Sequence, residues 1–253
     1  MRNLLAKTPP LKKDIKLVRS LHQKKFRIAN ALFIVEGLKM VEEAIQSEYV
    51  VHSLYSTDDS FAKKHPNAHL VSTKEMEQMS ALNSSSAYLI VLHFPDKSVS
   101  EKISGAVIVL DGIADPGNMG TIIRSVEWFG IAHLFCTVDC VELYNPKVVQ
   151  STMGSIFRMD VRYLETAQIG TVLNENGYAI VGAEMNGMAL FDFVFKGKTA
   201  IVIGSESHGI RHEMKKVLSA SITIPGAGKA ESLNAATACS VILAEYFRQL
   251  HLG

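Results

Sequence analysis

Three short stretches of this chain gather the residue types that group-transfer chemistry needs. The first is Asp115-Pro-Gly-Asn-Met-Gly120, with Arg124 four residues further on. An arginine one helical turn past a glycine turn shares space with the helix N-terminus, and together they suit a phosphate or a developing oxyanion. A surface salt bridge is the plainer role for the same residue. As a dinucleotide fingerprint the stretch is one residue short. Glycine is required where Asp115 stands, although Gly117 and Gly120 fit, and Asp139 lies where an acidic ribose ligand is expected.

The second stretch is Ile201-Val-Ile-Gly-Ser-Glu-Ser-His-Gly209. Gly204 ends an apolar run, where a missing side chain lets a ligand approach the backbone. Glu206 follows so near the core that it needs a partner, and Arg124 is a candidate. His208 invites a general-base reading, but its place between Ser207 and Gly209 reads more readily as an exposed loop histidine. The third stretch is Ile224-Pro-Gly-Ala-Gly-Lys-Ala-Glu-Ser-Leu-Asn234. Gly228-Lys229 is not a phosphate-binding P-loop, because Thr223 replaces the first glycine and Ala230 the Ser/Thr. Ser232 reads as a helix N-cap. Asn234, among apolar and small residues, has no structural reason to be polar.

These stretches need elements to carry them. Ala106 to Leu110 is a continuous apolar run, as expected of a strand covered on both faces. Further strands are expected at 133–138, 178–183, 200–203 and 221–224, with helices near 121–129, 146–153, 166–175, 211–219 and 233–250. Strands alternating with helices predict an α/β fold on a parallel sheet. Open parallel sheets bind ligands at the carboxyl ends of their strands, where all three stretches fall. Upstream, a basic helix is expected over 11–30, strands at 32–35, 50–55, 69–72 and 87–94, helices at 38–46 and 73–81, and a polar stretch from Asp58 to Asn67. A polar linker from Pro95 to Ser104 divides the chain into an expected smaller α/β domain, 1–97, and a catalytic domain, 98–253.

Composition narrows the class. The chain has 253 residues, 47% hydrophobic and 20% charged, as globular domains do. No run has the length of a membrane span, and Met1 to Pro10 lacks the apolar core of a secretory signal. Cys136, Cys140 and Cys239 have neither disulfide nor zinc spacing, which points to a reducing, cytoplasmic compartment and to no metal. The net charge of +1 hides an asymmetry. Residues 1–30 hold nine basic residues against Asp14 alone, a charge of +8, which leaves −7 on the other 223. A basic arm on an acidic body fits RNA phosphate contact, or else a solvated helix face; a mitochondrial presequence is a third reading, although the arm is poor in Ser.

Taken together, the three stretches resemble the three motifs of the SpoU (TrmH-like) branch of the SPOUT methyltransferases. Asn118, Gly120 and Arg124 match its first motif. Gly204, Glu206 and Gly209 match the second. Ile224, Pro225 and Ser232-Leu233-Asn234 match the third, in order, within residues 105–250. Arg27 through Phe33-Ile-Val-Glu-Gly37 resembles the opening of the family's substrate-binding domain. The resemblance implies a parallel sheet whose C-terminal segment forms a trefoil knot, which topology rules alone would argue against. It also implies a homodimer, an RNA-binding N-terminal domain, and S-adenosylmethionine as cofactor. Ile203, Gly204, Ile224, Pro225 and Leu233 are the implied cofactor contacts.

The implied reaction is methyl transfer to a ribose 2′-hydroxyl of structured RNA, ribosomal rather than transfer RNA. Asn118, Arg124, Glu206, Ser232 and Asn234 form the implied catalytic set. Arg124 would meet the RNA phosphate and the developing alkoxide; the family's arginine has also been read as the base, but a guanidinium loses a proton reluctantly, which favours electrostatic stabilisation. Asn118 and Ser232 would orient the ribose, while Glu206 and Asn234 would hold the loops. Two other classes stay open: a nicotinamide-dependent dehydrogenase using residues 112–139, and a non-catalytic RNA-binding factor on the same fold.

Overall fold

The computed structural model describes residues 12–95 and 103–251. Most of the expected linker, and Arg2 and Lys7 of the basic arm, lie outside the described residues. By contacts the chain divides into two units: Met1–Ser98 with Tyr144–Phe157, and Val99–Leu143 with Arg158–Gly253. Residues 144–157, expected within the C-terminal domain, group instead with the N-terminal unit.

In the first unit, strands β1 (Leu32–Glu36), β2 (Val51–Ser56), β3 (Ala68–Leu70) and β4 (Tyr88–His93) form a sheet of order β1-β4-β2-β3. Only β2 and β3 pair in parallel. Every residue of β1 is buried, so both sheet faces must be covered. One face packs Leu32, Ile34, Leu89 and Val91 against Val18 of helix α1 (Lys12–Ser20) and Met76 and Met79 of helix α5 (Thr73–Met79). The expected 11–30 helix is two helices: α1 ends at Ser20 and α2 spans Lys24–Asn30. Arg27 of α2 closes the break by donating to the Leu21 and His22 carbonyls, at 2.8 and 2.9 Å. It is 2% exposed, so it cannot serve the RNA-facing arm to which its charge assigned it. Lys12, Lys13, Lys16, Arg19, Lys24 and Lys25 are exposed. Helix α3 (Leu38–Gln46) packs on β1 and β4. The polar stretch after β2 holds a further helix, α4 (Asp59–Lys64), capped by Asp58.

Tyr144–Phe157 completes this unit. Its helix α7 (Pro146–Thr152) packs on β1, Tyr144 stacks 4.4 Å from both Phe33 and Phe94, and Phe157 meets Tyr49 edge-on at 5.4 Å.

The second unit is the expected α/β layer structure. Strands β5 (Val107–Asp111), β6 (His133–Thr137), β7 (Asp160–Leu164), β8 (Ala179–Ala189), β9 (Thr199–Gly204) and β10 (Ala220–Thr223) form one sheet, ordered β10-β8-β9-β5-β6-β7. Every pairing is parallel. One face packs Val107, Val109, Phe135, Ile180 and Val202 against helices α8 (Thr166–Glu175) and α9 (His212–Lys215). The alternate residues, such as Ile108, Leu110 and Ile201, point to the other face. Helices α6 (Pro116–Trp128) and α10 (Ala235–His251) pack on one another there, and α10 also touches β9. Strand β7 went unread in the sequence, and α9 is a single turn rather than the expected 211–219 helix.

Candidate active site

The three chemical stretches meet at the carboxyl ends of β5, β9 and β10. The first is helical almost throughout. Asp115 is the N-cap of α6, its carboxylate accepting from the Asn118 amide at 2.7 Å, with Pro116 in the first turn. Asn118 therefore sits in the first turn of α6 and Arg124 further along it, exposed. Among the described residues Arg124 has neither a hydrogen-bond nor an ion-pair partner.

The second stretch turns back on itself after β9. Ser205 and Gly209 exchange backbone hydrogen bonds of 3.2 and 2.8 Å, and Gly209 takes φ +63°, a left-handed value that glycine adopts without strain. A Cβ at Gly204 would lie 2.2 Å from the Gly209 carbonyl carbon and 2.3 Å from the Ile210 nitrogen. The chain's own return path thus demands glycine there, a stronger constraint than the ligand approach expected from sequence. A valine at 204 would distort the loop before it met any ligand.

In the third stretch the N-cap is Asn234, not Ser232. The Asn234 carbonyl accepts from the Ala236 and Thr237 amides at 2.9 and 3.2 Å, since α10 starts at Ala235 rather than Leu233. Asn234 therefore does have a structural reason to be polar. Its amide nitrogen donates to the Asn118 carbonyl at 2.9 Å and to Glu206 Oε1, and Asn118 Nδ2 donates to that same oxygen at 3.0 Å. Glu206 thus ties the three stretches together. It is exposed, and its partners are two amides rather than the arginine expected from sequence.

A second node, which the sequence did not reveal, lies beside the first. Asp111, at the end of β5, is fully buried. Its Oδ2 accepts from the Arg211 backbone amide at 2.7 Å and its Oδ1 from Arg211 Nε at 2.8 Å. The guanidinium also meets both oxygens of Asp139, at 2.9 and 3.1 Å. Burial would raise the Asp139 pKa, but hydrogen bonds from Thr137 and its own backbone, with the Arg211 charge, hold it below the ordinary carboxylate value. The acid that the dehydrogenase alternative would assign to a cofactor ribose thus serves an ion pair with Arg211 in this structure. A charged residue ending the apolar run 106–110 was the only available signal for Asp111; nothing local marked Arg211.

A cavity of about 910 Å³ opens at these strand ends. Ile203, Gly204, Ile224, Pro225 and Leu233 all line it, as do Glu206 and Ser232. Asn118 and Asn234 attach to its wall through Glu206. The volume is at the upper end for a small-molecule site, and an apolar wall with a few convergent polar groups suits an adenosine-sized ligand. S-adenosylmethionine, a nucleoside carrying an amino-acid tail, fits that lining.

Comparison with known proteins gives the same answer along the chain. The SpoU rRNA methylase family model matches residues 105–244, and an MRM3-like substrate-binding domain model matches residues 12–89. The chain is 25% identical over 232 residues to the 23S rRNA (guanosine(2553)-2′-O)-methyltransferase RlmP of Bacillus subtilis, covering 89% of this chain and 92% of that one. A solved structure described as an RNA methyltransferase of the TrmH family from Porphyromonas gingivalis superimposes with a TM-score of 0.87 at 28% identity, covering 96% of this chain and all of the other. An AdoMet-bound rRNA methyltransferase from Sinorhizobium meliloti shares the fold, with a TM-score of 0.87 at 24% identity over 99% of this chain and all of that one. With the family model spanning more than half its length, this chain belongs to the SpoU rRNA methylase family.

Proposed function

We propose that this chain is an S-adenosylmethionine-dependent RNA 2′-O-ribose methyltransferase acting on structured ribosomal RNA. The observation that carries the proposal is the Asn118–Glu206–Asn234 node, which joins three separate stretches at the cavity wall while Arg124 has no protein partner among the described residues. Bound at Ile203, Gly204, Ile224, Pro225 and Leu233, the cofactor supplies a methyl group already activated on a sulfonium. The chain's task is then to orient a weak nucleophile and to stabilise the charge that develops on it. Arg124 carries a permanent positive charge with a planar fork of donors, suited to an RNA phosphate and to negative charge on the 2′-oxygen. Ser232, on the cavity wall, and Asn118 orient the ribose. Glu206 and Asn234 fix the loops.

Ribosomal over transfer RNA is supported by the substrate-binding domain match and by the activity named for the Bacillus subtilis relative. Exposed Lys12, Lys13, Lys16 and Arg19 on α1 give the N-terminal unit a phosphate-facing edge. The proposal includes the homodimer that the resemblance implies. It also includes the trefoil knot that the resemblance implies after β9. A cytoplasmic location is consistent with three free, buried cysteines.

The test is methyl transfer from labelled S-adenosylmethionine to ribosomal and transfer RNA, followed by mapping of 2′-O-methyl sites. One ribosomal ribose should gain the label. Label on a base, or none on any RNA despite tight cofactor binding, would overturn the assignment.

A further inference from the structure

We propose that Glu184 and Lys215 read the amino-acid end of the methyl donor, the Glu184 carboxylate taking its α-ammonium and the Lys215 ammonium its α-carboxylate. The proposal rests on the methyl-donor reading of the cavity.

The wall of that cavity is uneven. Around Ile203, Ile224 and Leu233 it is apolar, as a nucleobase requires, whereas Glu184 and Lys215 also line it. Lys215 is the one lysine or arginine on the wall among the described residues. The wall's other basic side chain is the His208 imidazole, whose Nδ1 is hydrogen-bonded with Ser207, so a ligand carboxylate finds its lysine or arginine partner at Lys215 alone.

Glu184 reaches the cavity through an irregularity in the sheet. Strand β8 pairs with β9 as far as Gly182, and its register against β10 jumps from Ser221↔Gly182 to Ile222↔Met188. Residues 183–187 are therefore excluded from the ladder on both sides, and Ala183, Glu184, Met185 and Asn186 become cavity wall. Gly187 closes the excursion: a Cβ there would lie 2.5 Å from the Ile222 backbone.

The pair is held but reachable. Ser221 Oγ donates to Glu184 Oε2 at 2.5 Å, and Lys215 Nζ meets Oε1 at 2.6 Å. The side chains are 21% and 49% exposed. A bound zwitterion of matching polarity would replace the pair charge for charge, its ammonium at the half-buried Glu184 and its carboxylate at the exposed Lys215. Lys215 and Ser221 hold the Glu184 carboxyl below its ordinary pKa, so it is anionic at neutral pH. Ser221 and Ile224 are three residues apart, at most about 10 Å along an extended chain. The pair anchored on Ser221 and the apolar wall at Ile224 are thus within the span of one nucleoside bearing an amino-acid tail.

The test is calorimetric titration of the full chain with three ligands: S-adenosylmethionine, its decarboxylated form, and 5′-methylthioadenosine, which lacks the amino-acid end. Lys215→Met should weaken S-adenosylmethionine at least tenfold and leave the other two unchanged, and Lys215→Arg should restore most of the loss. Glu184→Gln should weaken S-adenosylmethionine and its decarboxylated form alike and spare 5′-methylthioadenosine. Unchanged binding of that last ligand also shows that the cavity is intact. Equal weakening of all three ligands, no weakening of any, or discrimination by one variant alone would overturn the proposal. If the wild-type chain binds none of the three, the methyl-donor reading itself fails.

Discussion

Two hydrogen-bonded nodes lie at the same edge of the parallel sheet, and they are built from opposite materials. The Asp111–Arg211–Asp139 node sets charge against charge around a carboxylate with no solvent exposure. The Asn118–Glu206–Asn234 node sets neutral amides on one exposed carboxylate. Both restrain the loop that leaves β9. One arginine, Arg211, is consumed in the buried node and the exposed node needs none; on the proposed function, Arg124 keeps its guanidinium for the RNA. On that reading, the contrast separates holding the architecture from meeting the RNA.

The sharpest way to break this division is Arg124→Ala. Methyl transfer should fall on the order of a hundredfold to a thousandfold, as for loss of one electrostatic contact to a developing oxyanion. S-adenosylmethionine affinity by calorimetry and the urea midpoint should stay put; a lowered midpoint would mean that Arg124 belongs to the architecture after all. Arg211→Ala should do the reverse. It strands a buried carboxylate, which costs about 3 kcal/mol or more in a urea titration. Arg124→Lys keeps the charge without the planar fork and should retain partial activity. A rate flat between about pH 7 and 10 supports electrostatic stabilisation, whereas a steep rise over that range would make residue 124 the base.

Asn234→Ala removes a helix cap and two bonds of the exposed node, for about 1 kcal/mol in the same titration. The smallest effect belongs to Asp139→Asn, at most about 1 kcal/mol for an exposed partner. Its sign with pH is fixed. The folded pKa of Asp139 is depressed, so its stabilisation is fully present above its unfolded value near 3.8 and is lost as pH falls through the lower folded value. Stability curves of wild type and variant should therefore converge in acid. A gap that widened there would contradict the ion pair.

The site positions were legible because each stretch ends an apolar run, and a parallel sheet delivers such ends to one edge. The links between them were not, because Asp111 and Arg211 are a hundred residues apart and no local pattern marks either. Glu206 was given the wrong partner for the same reason: charge suggested an arginine, but geometry supplied two amides. Strand β7 escaped because it is an edge strand, mostly half-buried, whose DVRYL lacks a continuous apolar run. The break between α1 and α2 carries neither proline nor glycine, and it depends on Arg27 folding back onto two carbonyls. The cavity wall at 183–187 arises from a register jump, which no periodicity predicts.

The first unit takes its final piece, Tyr144–Phe157, from beyond the start of the second. This has a consequence for the order in which the protein comes off the ribosome. When Ser98 has been made, Tyr144, which meets Phe33 and Phe94, and Phe157, which meets Tyr49, do not yet exist. Fifty-nine more residues must be added to reach Phe157, roughly 3–12 s at ordinary elongation rates. During that interval the first unit carries an unfinished apolar face, and β5, α6 and β6 of the second unit emerge before the first is closed. The two units therefore mature interleaved rather than in sequence. A nascent chain arrested at residue 98 should resist protease less well than one released past residue 157.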